Sequence, residues 1–177
     1  MIWQTEPMCA APTFFNFAYG SNMLIRRVQA RVPSARAVGV AALAGHDLRW
    51  HKVGRDGSGK CDIVQTETAQ AAVYGVVYEM RAIEKAALDK AEGLGSGYAE
   101  KKILLETGAG KLQAWVYYAT DIEPSAVPYT WYKALVVAGA KQHFLPTDYI
   151  SKLVAVAAKI DPDAERAKTN WAVVDAG

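Results

Sequence analysis

Cysteine and histidine are both scarce in this chain of 177 residues. The two cysteines, Cys9 and Cys61, form no CxxC pair and no framework spacing, which excludes a disulfide scaffold. The three histidines, His46, His51 and His143, lack ligand spacing and read as ordinary surface or half-buried side chains, so no metal site is expected. No apolar run reaches the length that spans a bilayer, so no membrane association is expected. The first 25 residues contain no Lys or Arg, carry Glu6 and Pro7 early, and lack a continuous apolar stretch, so they do not resemble a signal peptide. Neither sign of charge dominates. Twenty basic and 18 acidic residues are interspersed for a net charge of +2, without the basic runs that make a footprint for nucleic acid. The few thiols fit a reducing compartment, and a cytoplasmic location is expected.

What is present is an apolar half, 51% of residues, enough to bury one sizeable core. We expect a single domain over residues 1–177, with about 1–12 and 163–177 loosely attached unless Trp171 docks. Residues 13–19 read as an apolar, aromatic strand and 23–30 as a short helix stopped by Pro33. Residues 35–53 alternate enough for one or two strands, and 63–68 and 71–80 are rich in β-branched and aromatic residues, with Gly75 as a bulge or a close-approach point. Arg81 opens a helix in which Ile83, Ala86, Ala87 and Ala91 fall on one stripe and Gly93 supplies the C-terminal cap. Strands over 98–105 and 111–119 flank Thr107-Gly108-Ala109-Gly110, a hairpin signal, and helices follow over 129–141 and 147–158. Strands dominate early and helices late. The class is therefore α+β, with a mixed or antiparallel sheet able to close into a small barrel with flanking helices.

Two segments carry candidate chemistry. Phe17-Ala18-Tyr19-Gly20-Ser21-Asn22-Met23 leads from the first strand through Gly20 into residues that cap helix starts, a turn that presents free N–H groups to a carboxylate or an oxyanion. It reads equally as an ordinary capped turn. Glu92 lies in the final helical turn before Gly93-Leu94-Gly95-Ser96-Gly97, a run that permits close approach of backbone to a ligand. There the helix dipole, with any burial, raises a carboxyl pKa toward what a proton-shuttling base needs. From position alone, a solvated acid beside Lys90 is the plainer alternative. Ser21 has no histidine near it in sequence, which argues against a serine nucleophile. Gly54-Arg55-Asp56-Gly57-Ser58-Gly59-Lys60-Cys61 approaches a phosphate-binding loop, but Cys61 replaces the magnesium-holding hydroxyl and a strand follows where a helix is required, so a hairpin loop is expected. Tyr132 reads as core or pocket wall with a phenol able to meet a ligand.

The residues together resemble the γ-glutamylcyclotransferase family. The resemblance rests on Phe17 to Met23, Pro33-Ser34-Ala35, Val73-Tyr74-Gly75-Val76-Val77-Tyr78, Leu88 to Gly93 with Ser96-Gly97, Tyr132-Lys133, Gly139-Ala140-Lys141, Leu145-Pro146 and Tyr149, in order and across most of the chain. It implies a small β-barrel with flanking helices and a cofactor-free release of 5-oxoproline from a γ-glutamyl compound. It also implies Glu92 as the catalytic acid/base, and Tyr19, Gly20, Ser21, Asn22 and Met23 as the backbone grip on the glutamyl group. Tyr132 and Tyr98 join the substrate-binding set. The second of these departs from the family pattern, in which an apolar residue and then a tyrosine follow the Ser-Gly pair, whereas this chain has Tyr98 and then Ala99. A homodimer is a further implication. Asn22 after Tyr-Gly-Ser is closer to the branch acting on γ-glutamyl amino acids than to the glutathione-specific one. The alternative is a non-catalytic protein of the same fold that recognises γ-glutamyl or amino-acid-like ligands.

Overall fold

A computed structural model describes residues 11–176. Cys9 and most of the N-terminal segment expected to be loose lie outside the described residues. The strands are β1 (Thr13–Ala18), β2 (Arg36–Ala44), β3 (His46–Val53), β4 (Gly59–Gln65), β5 (Ala72–Arg81), β6 (Tyr98–Thr107) and β7 (Gly110–Ala119). The helices are α1 (Ile25–Gln29), α2 (Lys85–Glu92), α3 (Thr130–Gln142), α4 (Thr147–Ala155) and α5 (Ala164–Asp175).

Five strands close a barrel in the order β1-β5-β2-β6-β7, and β7 returns to β1 in parallel through the pair Asn16 and Trp115. The expected α+β barrel with flanking helices is the observed fold. β5 explains the register: Val73 and Gly75 to Tyr78 are buried almost without interruption because this strand lies between β1 and β2 and is covered on both faces. The bulge sits in β2, between Ala37 and Gly39, and not at Gly75. Gly75 is instead a close-approach point, since a Cβ there would lie 2.5 Å from the Ala18 carbonyl oxygen and 2.8 Å from the Phe17 ring. β3 and β4 form a separate two-stranded ribbon. Its connection is the segment that approached a phosphate-binding loop, here a tight turn in which Gly54 N–H donates to Ser58 C=O and Gly57 N–H to Gly54 C=O.

Two expectations fail in the helices. The stripe Ile83, Ala86, Ala87 and Ala91 is exposed; α2 buries Leu88 and turns Lys85, Asp89 and Glu92 inward. Alanines carry little apolar area, and a polar network is what this face has to satisfy. The segment after residue 163 is no loose tail. Asp163 caps α5 by accepting from the Arg166 N–H, and α5 packs on α3 with Ala167, Val173 and Val174 against the core. The anchor is Asp161, buried, which accepts from Trp131 Nε1 at 2.8 Å and Arg166 Nε at 2.8 Å.

α3 buries Trp131, Tyr132, Leu135, Val136, Gly139 and Ala140, a stripe of helical period. Gly139 lets it press on the turn after β1: a Cβ there would stand 2.5 Å from the Leu24 nitrogen.

Candidate active site

β1 ends at Ala18 and runs through Tyr19 and Gly20 into a single 3-10 turn, Ser21–Met23. That turn has no side-chain cap. Its own bonds, Met23 N–H to Gly20 C=O and Leu24 N–H to Ser21 C=O, leave the amides of Ser21 and Asn22 unused by it. The turn tolerates only glycine at its entry without movement, because a Cβ on Gly20 would stand 3.2 Å from Cys61 Cβ and 3.3 Å from the Tyr132 hydroxyl.

Opposite this turn α2 stops at Glu92, where Gly93 takes the left-handed conformation (φ 76°), as its place in the sequence predicted. The Asn22 side-chain amide donates to Glu92 Oε1. Arg31 closes the triangle, donating from one nitrogen to Asn22 Oδ1 at 2.8 Å and to Glu92 Oε1 at 3.3 Å. Burial raises the Glu92 pKa above the ordinary glutamate value; Arg31, Arg27 and the Asn22 amide pull the other way and lose. Arg27 donates from Nε to Ser21 Oγ at 3.0 Å, and burial together with Arg31 lowers its pKa to about 10.

Tyr19, Gly20, Ser21, Asn22, Glu92, Tyr98 and Tyr132 all line one small cavity that opens to solvent, about 380 Å³ with its mouth included. Met23 does not. It is fully buried, its N–H is taken by Gly20 and its carbonyl by the Tyr78 hydroxyl at 2.7 Å, so the backbone grip expected of it is not available. The displaced Tyr98 does face the cavity, and its hydroxyl donates to Cys61 C=O at 2.7 Å. The Tyr132 hydroxyl accepts from Cys61 N–H at 3.1 Å, and Tyr19 donates to Tyr117 C=O at 2.6 Å. Burial pushes all three phenols well above their ordinary pKa, so they stay protonated. Cys61 lines the cavity too, but burial drives its thiol up to about 12, which leaves it no nucleophile.

Sequence reasoning missed Arg27, Arg31 and Cys61. The arginines had a signal, two cations at i and i+4 directly after an anion-binding turn. Cys61 had none, because it works through its backbone.

A closed barrel carries a half-buried carboxylate against an amide-bearing turn, and residues 72–153 of the chain match the model of the AIG2-like family. The gamma-glutamylcyclotransferase of Mus musculus is 36% identical over 157 residues, covering 81% of this chain and 79% of the mouse sequence. That of Bos taurus is 33% identical over 176 residues, covering 92% and 87%. The solved structure of a gamma-glutamyl cyclotransferase superposes with a TM-score of 0.84 at 30% identity, covering 94% of this chain and all of its own. This chain belongs to the γ-glutamylcyclotransferase family.

Proposed function

We propose that the protein releases 5-oxoproline from a γ-glutamyl compound by intramolecular attack, with Glu92 as the acid/base. The observation that carries this reading is the contact between Glu92 and the Asn22 side chain, which sets a carboxylate of raised pKa against the turn with two unused amides. A pure binding protein would need Glu92 turned away from the turn or the cavity filled. Instead Glu92 accepts from Asn22 and lines an open cavity.

The reaction needs no enzyme nucleophile, because the substrate carries its own. Glu92 takes a proton from the α-ammonium, and the freed amine attacks the γ-carbonyl carbon to form the ring C–N bond. The carbonyl electrons move to oxygen. When they return, the bond to the departing amine breaks as Glu92 hands its proton to that nitrogen, and Glu92 then takes the second proton from the ring nitrogen and passes it to the released amine, which leaves as an ammonium. A carboxyl pKa raised by burial narrows the gap to the ammonium, which favours both transfers. The amides of Ser21 and Asn22, with Tyr19 and Gly20 framing them, grip the glutamyl carboxylate or the oxyanion. Tyr132 accepts from Cys61, so its proton is free to donate to substrate; Tyr98 donates to Cys61, so its oxygen is free to accept from the ammonium. No step calls for a metal or an organic cofactor.

Two parts of the proposal rest on the sequence and family resemblance alone. These are a cytoplasmic location and a homodimer, the latter checked by sedimentation.

The test is 5-oxoproline release, by mass spectrometry, from γ-glutamyl-alanine, γ-glutamyl-ε-lysine and glutathione. Release from at least one is expected, and the rates rank the leaving amines. No release from any by the wild-type protein, with calorimetry showing that the same compounds bind, would overturn the cyclotransferase reading in favour of a binding protein.

A further inference from the structure

Lys52, on β3, is 7% exposed, and no carboxylate among the described residues lies within ion-pairing distance of its ammonium. Its stem is buried while its ammonium, with no ion-pair partner, keeps an outlet to solvent, so the charge is held in place with its donors uncommitted and ready for something that arrives. The position says what. Nζ stands 4.9 Å from the centroid of the Tyr98 ring, and Tyr98 lines the cavity with Glu92. It also lies against Gly97, where a Cβ would come within 2.9 Å of Nζ. The ammonium is thus tucked beneath the glycine-rich segment that follows Glu92, between that segment and the cavity wall. Asp121, Arg55, Asp56 and Glu92 are the charged groups whose fields reach it, and burial outweighs them to lower its pKa.

The glutamyl half of a substrate already has its recognition set in the turn after β1, Glu92, Tyr98 and Tyr132. The departing half has no cation in that set. We propose that Lys52 is a specificity residue that receives a carboxylate carried by the leaving amine. The inference rests on the cyclotransferase reading of the same cavity. It gives a reason for the glycine at residue 97, whose φ of 107° and missing side chain leave room for the ammonium.

The experiment compares 5-oxoproline release from γ-glutamyl-alanine and from γ-glutamyl-alaninamide, which differ only in the carboxylate of the departing half. Wild type is expected to favour the acid in kcat/KM by about 10- to 100-fold, the value of a hydrogen bond between charged groups. In Lys52→Met that ratio should fall to within about 3-fold of unity, because the charged interaction is what set it. Lys52→Arg should keep most of the preference. A structural lysine would instead lower both substrates alike. An unchanged ratio in an active Lys52→Met, or an equal loss on both substrates, overturns the proposal. Should that variant fail to fold, Lys52→Gln carries the same comparison with a polar replacement. Release from both peptides at equal rates by wild type, or from neither while another γ-glutamyl compound is turned over, sinks only the role of Lys52, whereas no release from any γ-glutamyl compound sinks the cyclotransferase reading beneath it.

Discussion

Asn22 and Glu92, 70 residues apart in sequence, are joined by a hydrogen bond from the asparagine amide to Glu92 Oε1, and Arg31 donates to both. One triangle therefore fixes the acid, the turn that faces it and the charge that tempers it.

Glu92→Gln preserves size and keeps an acceptor for Asn22 while removing the titrating group. Loss of at least ~100-fold in kcat is expected if Glu92 carries both proton transfers. Stability should move the other way. Because the folded pKa lies above the ordinary value of 4.5, folding takes up a proton between the two, and the stability this brings is present below 4.5 and lost as pH rises through the folded value. At neutral pH the ionised carboxylate costs stability against a neutral isostere, so the variant should melt no lower than wild type at pH 7, and lose that standing below pH 4.5. A variant that loses activity and also melts much lower at pH 7 would point to a structural carboxylate.

Arg31→Gln removes a cation that holds the Glu92 pKa down. Glu92 should then titrate at higher pH, carrying the acid limb of the kcat/KM profile upward with it. Activity lost at neutral pH should partly return at higher pH. A uniform loss at every pH would instead make Arg31 a substrate contact alone.

Tyr132→Phe deletes the acceptor of the buried Cys61 N–H, leaving that donor unpaired at a cost of about 1–3 kcal/mol, read by chemical denaturation. The hydroxyl proton offered to substrate disappears as well. KM for a γ-glutamyl peptide should rise along with the stability loss, and a stability loss with KM unmoved would confine Tyr132 to the wall.

How far the sequence alone reveals this site depends on what each residue does. The turn at residues 19–22 and the acid at 92 were legible because glycine, serine, asparagine and a helix-ending carboxylate each carry chemistry in their residue type. Cys61 was not, since its two backbone groups orient Tyr98 and Tyr132 whatever its side chain. Lys52 looked like any lysine on a strand, because its meaning lies in the absence of a partner, which only coordinates reveal. The strands were found by alternation, but the order β1-β5-β2-β6-β7 is a matter of long-range pairing that local pattern does not encode. The face of α2 was misread because its alanines mark exposure as readily as burial.

Gly139→Ala tests the pressing of α3 on the turn. A Cβ would stand 2.5 Å from Leu24 nitrogen and 2.7 Å from Met23 carbonyl carbon, both backbone, so the helix or the turn has to shift. Overpacking of this kind costs about 1–3 kcal/mol. The shift also moves the amides of Ser21 and Asn22, so KM should rise beyond what stability alone explains, measured well below the melting temperature. Unchanged stability would mean that the two backbones separate freely.

Removal of residues 164–177 asks whether α5 belongs to the site. The sequence read this segment as a tail, for which truncation would be silent. In the fold, Asn170 on α5 donates from Nδ2 to Arg166 C=O at 2.9 Å, which fixes its Oδ1 toward Arg27 NH1 at 3.4 Å. Arg27 in turn holds Ser21 through Nε. Without α5 the buried Asp161 also loses its Arg166 partner while keeping Trp131, and the guanidinium of Arg27 is freed to swing. Truncation should therefore lower Tm and raise KM with a smaller effect on kcat, because the acid at residue 92 is untouched. Asn170→Ala in the full chain separates the two effects: it leaves the Asp161 anchor intact, so its KM should rise with little change in Tm. If neither variant alters KM, α5 stabilises the barrel without reaching the turn.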